Sequence, residues 1–400
     1  MWTWTPIPSK RNAVKVGTEL ASGEILVLVD SDTVWTRDTL CELVKPFADP
    51  GIGGVTTRQR VLDPQRHFFT RWADWLENSR VKYSMPAQSV LGHVGCLPGR
   101  TIAFRRQIVV KAMDEFMHGR FLGVFLEISD DRTLTNLALK QGYRTVYQST
   151  SLVFTDAPVT VRKLYKQQLR WARGSQYNTL RMLPWMVRRA PVLAVFFVSD
   201  IVLPFLLLGA VIGGVERAVN GTGVNYYTAY LREYGFGLGM GAVVVLTVLA
   251  SRLSMAIRQL RHLEEVPGDW WRMPAFVLFS SMFLMPIRLI GFFRMAHVAA
   301  WGTRRDAYSG MQDDVIAELE RETAPAPTDI VDRDAPTPSG AAARTAVLAA
   351  PVTAGTQVRE HPEEADLRPK DGGRHAVNVL AAVPYLIGGT LIVLEVLYRG

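Results

Sequence analysis

Cysteine is nearly absent: Cys41 and Cys96 are the only two in 400 residues. That is too few for a disulfide framework, and no CxxC pair or His/Cys cluster is present to hold zinc. Reduced thiols in a cytosol-facing domain are the expectation. The seven histidines form no metal pair. Charge is also sparse at 20% of residues, and no basic tract is interleaved with aromatics, so the formal net charge of +8 does not mark a nucleic-acid groove. An excess of bases of this kind suits anionic lipid and phosphate-bearing substrates instead. The amino-terminal stretch lacks the basic flank, apolar core and small-residue cleavage site of a signal peptide. No internal repeat is visible.

Apolar residues are what the chain has in quantity, at 48%, with a mean hydropathy of +0.09. Residues 1–185 alternate strand-like runs, polar turns and amphipathic helices, and nothing in them is long enough to cross a bilayer. They are expected to form a cytosolic α/β domain. Residues 186–310 are expected to hold transmembrane and interfacial helices, beginning with Val192–Gly214 and returning through Gly235–Ala250 to about Met255. Phe276–Met285 is apolar but is followed by Pro286, Arg288 and Arg294, which predicts a broken helix turning back along the interface. Residues 311–375, rich in Pro, Ala, Thr, Asp and Glu, read as a disordered linker, and residues 376–398 as a final span. Arg181, Arg188 and Arg189 precede the first span, and Arg258, Arg261 and His262 follow the second. The positive-inside rule places both groups in the cytosol, giving a multi-pass protein of the plasma membrane.

Three short motifs can carry chemistry. Ile25–Val29 is a continuous apolar run, the pattern of a strand buried on both faces of a parallel sheet, and Asp30-Ser31-Asp32 closes its carboxyl end. Two carboxylates on such a turn can hold Mg2+ or Mn2+ bridging a diphosphate; a solvated turn is the plainer reading. Ser129-Asp130-Asp131-Arg132 opens a helix running through Leu134, Leu137 and Leu139 to a glycine stop at Gly142. Acids in a first turn cap a helix, and the macrodipole also keeps a carboxylate ionised and able to accept a proton. Gln167, Arg170 and Trp171 stand at i, i+3 and i+4 on one helix face. The guanidinium can clamp phosphate and the indole can offer a ring to a sugar or base, although Trp and Arg also favour lipid headgroups. Cys96-Leu97-Pro98-Gly99 is either a substrate loop or a turn. The glycines of 235–241 open an apolar span and are best explained by close helix packing.

Taken in order, these motifs resemble those of the processive family-2 inverting glycosyltransferases, which include cellulose, chitin and hyaluronan synthases. Asp130-Asp131-Arg132-x-Leu134-Thr135-Asn136, Gly142-Tyr143, Gln167-Gln168-x-Arg170-Trp171 and Trp301-Gly302-Thr303-Arg304 look most like the hyaluronan synthase and Nod-factor chitooligosaccharide synthase branch. The resemblance implies a GT-A-like α/β fold followed by transmembrane helices, and a hexosyltransferase (EC 2.4.1 type) passing sugar from a UDP-sugar to a β-linked polysaccharide or oligosaccharide acceptor in a lipid bilayer. It gives Asp30 and Asp32 to the metal, Asp131 to general base catalysis with Asp130 beside it, and Gln167, Arg170 and Trp171 to acceptor and diphosphate. Cys96 and Gly99 fall in the priming loop, where Pro98 replaces the usual Ser, and Lys10 is placed near diphosphate charge. Family members carry transmembrane helices, a first nucleotide-binding strand and a uridine-binding Asp ahead of the position of Lys10, so the resemblance implies an amino-terminally truncated chain. A non-processive glycolipid-forming transferase and an inactive truncated subunit are the alternatives.

Overall fold

The computed structural model describes residues 9–221, 226–297 and 382–390. The linker at 311–375, the motif at 301–304 and most of the last apolar segment lie outside the described residues. The chain divides into two compact units, residues 14–303 with 378–400, and residues 1–13 with 304–377. Of the second unit only the opening of the first helix is described.

The α/β part runs α1 (Lys10–Leu20), β1 (Ile25–Val29), β2 (Thr33–Trp35), α2 (Thr39–Val44), β3 (Ile52–Val61), α3 (Phe68–Ser79), α4 (Met85–Val90), β4 (Thr101–Arg105) and α5 (Arg106–His118). A small hairpin of β5 (Arg120–Phe121) and β6 (Val124–Phe125) then leads to α6 (Asp130–Lys140) and β7 (Arg144–Thr155). The sheet order is β1-β4-β3-β7-β2. Only β3 and β7 run parallel; the other pairs are antiparallel.

Ile25–Val29 is therefore a strand, as expected, but not part of a parallel sheet. It pairs antiparallel with β4, Ile25 opposite Arg105 and Val29 opposite Thr101. Both its faces still meet apolar neighbours. Leu26 and Leu28 join the cluster of Ile102, Phe104 and Ile108, whereas Ile25 and Val27 join that of Leu43, Phe47 and Val55. A continuous apolar run reports cover on two faces and carries no information on the direction of the neighbouring strand. The central strand β3 is held close to its cover: a Cβ at Gly53 would lie 2.4 Å from Ile108 Cδ1 and 2.5 Å from Tyr143 Cβ.

The helical part comprises α7 (Val161–Arg189), α8 (Pro191–Asn220), α9 (Tyr226–Glu265), α10 (Met273–Phe279) and α11 (Met285–Phe293). The division drawn at residue 185 falls inside α7, which ends at Arg189. Pro191–Arg217 and Met273–Phe293 are long and apolar enough to cross a membrane. The expected break near Pro286 does not occur, because a π-turn at Ser280–Leu284 joins α10 to α11. Pro286 can neither donate a helical hydrogen bond nor tolerate an ordinary turn before it, and the extra residue of a π-turn relieves both constraints. A second π-turn, Arg80–Ser84, precedes Met85-Pro86 in the same way. The glycines near 235 also depart from expectation. Among the described residues no atom lies within 4 Å of a Cβ built at Gly235, Gly237 or Gly241, and Gly235 breaks α9 with φ of +71°.

α10 and α11 lie along the α/β part. Phe276 stacks near Trp75 at 5.5 Å, Trp72 Nε1 donates to Ser280 Oγ at 2.9 Å, and Gln176 Nε2 donates to the Arg288 carbonyl at 2.8 Å. At Gly291 the backbones of α11 and α7 approach so closely that a Cβ would sit 2.8 Å from that of Ala172.

Candidate active site

The carboxyl end of β1 turns sharply, with Thr33 N–H bonded to the Asp30 carbonyl at 3.1 Å. Asp30 is half-buried on this turn and Asp32 is exposed. The turn is fixed from across the sheet by one carbonyl, that of Arg100, which accepts from Asp30 N–H at 3.0 Å and from Thr33 Oγ1 at 3.2 Å. Among the described residues no three His, Cys, Asp or Glu side chains converge. Two carboxylates on one turn are nevertheless the hard-oxygen donor set that suits Mg2+ or Mn2+, ions that keep water and substrate phosphate in the rest of their shell.

The segment preceding Arg100 reaches the second motif. Gly99 N–H donates to Asp131 Oδ2 at 3.1 Å, and Leu97 N–H donates to Thr135 Oγ1 at 3.2 Å. Asp131 stands in the first turn of α6, as expected, and Asp130 is buried beside it. Cys96 lies close by. Burial pushes its thiol up to about 12, and the Asp131 carboxylate adds to the rise, so Cys96 is a neutral thiol and not a nucleophile at neutral pH.

The third motif arrives on α7. Arg170 is half-buried; desolvation lowers its pKa, while Asp131, Asp30 and Asp130, in that order, pull it back up. The guanidinium thus sits in the field of both acidic motifs. Trp171 is partly exposed, and the Arg100 guanidinium lies 6.0 Å from its ring centroid, a cation–π distance. Gln167 is half-buried one turn earlier on α7. Lys10 opens α1, is half-buried and belongs to the other compact unit.

Several polar residues that the motifs do not announce complete the cluster. Arg100 Nη1 donates to Gln59 Oε1 at 3.0 Å and lies 3.6 Å from Glu77 Oε1; Gln59 Nε2 holds the Pro98 carbonyl at 3.2 Å. Glu77 is buried, which by itself raises a carboxyl pKa, yet Arg80 and Arg100 bring it below its ordinary value. Arg132 is also buried. It bonds Ser175 Oγ and Thr179 Oγ1 of α7, and its guanidinium lies 4.0 Å from the Phe197 ring of α8. The sequence marks none of these partners, because Gln59 sits in a strand and Glu77 and Thr179 sit in helices whose patterns look ordinary.

Residues 97–100 are therefore the piece that gathers the site: their backbone touches the acidic turn and the acidic helix, and the Arg100 side chain covers Trp171. Residues 6–174 match the family model described as glycosyltransferase like family 2. Hyaluronan synthase from Streptococcus pyogenes is 25% identical over 298 residues, covering 74% of this chain and 66% of that protein. N-acetylglucosaminyltransferases from Rhizobium meliloti and Bradyrhizobium diazoefficiens are 28% and 33% identical, over 64% and 44% of this chain and 58% and 37% of theirs. The chain thus spans less than two thirds of the length of these relatives. A mannosyltransferase from Pyrobaculum calidifontis, solved with GDP-Man and Mn2+, aligns over 70% of this chain and 67% of its own with a TM-score of 0.40 and 19% identity. Over residues 6–174 the chain thus resembles glycosyltransferase family 2, and it is similar to hyaluronan synthases and rhizobial N-acetylglucosaminyltransferases.

Proposed function

We propose that this protein transfers a sugar from a UDP-sugar to the end of a growing β-linked polysaccharide, with inversion, at the cytosolic face of the plasma membrane. The observation that carries the reading is the single backbone segment 97–100 that binds the Asp30 turn and Asp131 and sets Arg100 over Trp171.

Inversion requires one in-line displacement, in which the acceptor hydroxyl attacks the anomeric carbon as the nucleotide diphosphate departs. Asp131 is the base that takes the hydroxyl proton. The hydrogen bond from Gly99 to Oδ2 orients the carboxylate, which then takes the proton of the acceptor hydroxyl. Arg170 faces both acidic motifs and offsets diphosphate charge as it develops. Trp171 provides the apolar face on which the terminal acceptor sugar rests. Asp32, with Asp30, would hold the divalent cation, which when bound stabilises the leaving diphosphate as a Lewis acid. Gln167, on the turn of α7 before Arg170, is assigned to the acceptor side, and Cys96 and Gly99 line the site as groups that shape it.

The experiment is to assay membranes containing the protein against a panel of UDP-sugars with Mn2+ or Mg2+, with EDTA controls and sizing of the product. Long chains formed from one or two UDP-sugars support the reading. A single sugar added to lipid identifies a glycolipid-forming enzyme, and turnover undiminished in excess EDTA removes the metal from the scheme.

A further inference from the structure

Asp131 lies in the field of Arg170, and the two stand on different helices. The residue that starts the Asp131 helix is unusual. Ser129 has φ 59° and ψ 51°, and only two other non-glycine residues among those described, Asp63 and Leu122, have positive φ. A serine before a helix ordinarily has extended backbone angles and accepts a bond from the first-turn N–H groups with its side chain. Ser129 does neither, as its side chain makes no capping bond. Its hydroxyl lies instead 3.5 Å from Asp131 Oδ1, able to donate to it, while its carbonyl accepts from Thr133 N–H at 3.0 Å. The left-handed conformation is disfavoured for a residue with a Cβ, so the surroundings must impose it.

The surroundings are one turn of α7. A Cβ placed on Gly174 would lie 2.5 Å from the Ser129 Cβ and 3.0 Å from its Oγ, but 3.7 Å from its Cα. Ser129 thus fills the space that a side chain at 174 would take. On either side the fit is pinned: Tyr177 Oη donates to the Ile128 carbonyl at 2.8 Å, and Arg132 bonds Ser175 and Thr179. Gly174 lies four residues after Arg170, on the same face of α7. We propose that Ser129 and Gly174 form a positioning contact that sets Asp131 against Arg170, Gly174 providing the seat that fixes the residue from which the Asp131 helix starts. The inference rests on the proposed role of Asp131 as base.

The geometry predicts a reciprocal rescue. Gly174→Ala should lower kcat roughly tenfold to a hundredfold, the loss expected when a reacting group is displaced by about an ångström, while the KM for the donor changes by less than about twofold. Ser129→Gly removes the obstructing Cβ, and the remaining 3.7 Å contact to Cα is ordinary. The Ser129→Gly, Gly174→Ala double variant should therefore recover most of the kcat lost in Gly174→Ala. The same four proteins, purified as full chains in detergent, are compared by thermal unfolding, where the double variant should unfold above Gly174→Ala. Rescue in both measurements supports the contact and its role. A double variant as slow as Gly174→Ala, with its thermal midpoint restored, overturns the positioning role; a double variant no more stable than Gly174→Ala overturns the contact itself. Absence of turnover in the unmodified chain with every donor defeats the proposed function instead, and the thermal cycle still decides the contact.

Discussion

Asp32 and Asp131 are both carboxylates at chain turns, and their expected failures differ. Asp131→Asn removes the proposed base and should lower kcat about 10²–10⁴-fold while leaving calorimetric binding of UDP with Mn2+ intact. Asp32→Ala should weaken that binding itself; equal binding by both variants would contradict the division of roles. Cys96 offers a check that needs no activity. With its thiol pushed up to about 12, only about one molecule in ten thousand is thiolate at pH 8, so iodoacetamide should modify the exposed Cys41 far sooner than Cys96, as read by peptide mass spectrometry. At this scale the acidic turn, the acidic helix and the Gln167, Arg170, Trp171 triplet were legible in the sequence because each is a local pattern with a local chemical reason. Gln59, Glu77, Ser129 and Gly174 were not legible. Their significance arises from contacts made across the fold, and a glutamate within an amphipathic helix has no mark distinguishing a buried ion pair from a solvated face.

At the scale of elements, the strand Ile25–Val29 and the helix opened by Asp130 followed from their patterns, including the α6 stop at Gly142, whose φ of +88° is open to glycine. The pairing direction of β1 did not follow, since apolar cover looks the same beside a parallel or an antiparallel neighbour. The helix through Pro286 was also hidden: proline signals an interruption, and the sequence does not say whether a break or a π-turn absorbs it. The two Met-Pro steps after π-turns, at Met85-Pro86 and Met285-Pro286, show one solution used twice. The tightness of the sheet gives a separate expectation. A methyl group at Gly53 meets Ile108 and Tyr143 well inside contact distance, so Gly53→Ala should destabilise the protein by about 1–3 kcal/mol, seen as a lowered midpoint in chemical unfolding. An unchanged midpoint would mean that α5 and the 142–144 turn yield more easily than the packing indicates.

Across the whole molecule, Glu265 at the end of α9 is a meeting point. It takes both carboxylate oxygens to Arg58 at 2.8 and 2.9 Å, pairs with Arg60 and Lys82, and accepts from Asn78 at 3.1 Å. Partial burial opposes its charge, but the bonds from Lys82, Asn78 and Arg58 hold it down to about 2. A carboxyl depressed below its ordinary 4.5 stabilises the fold fully above that pH and loses its contribution as pH falls from 4.5 towards 2. Glu265→Gln should therefore unfold at a lower temperature at pH 7 and show a flatter pH dependence across that acid window. One long element has a consequence for how such a chain can change its length. α7 runs 29 residues without interruption from before Trp171 to the threshold of α8, so no loop lies between the two to absorb a mismatch. Inserting one residue between Thr179 and Met186 turns all that follows by about 100° and moves it about 1.5 Å, carrying Phe197 away from Arg132 and swinging the apolar face of α8 out of its bearing. Inserting seven, close to two full turns, restores the bearing at the cost of about 10 Å of height. Gene-length drift in this stretch should thus be quantised, with single insertions silencing the enzyme and seven-residue insertions leaving the α8 direction intact, a periodicity that a scanning series of insertions assayed for membrane-bound product can read directly.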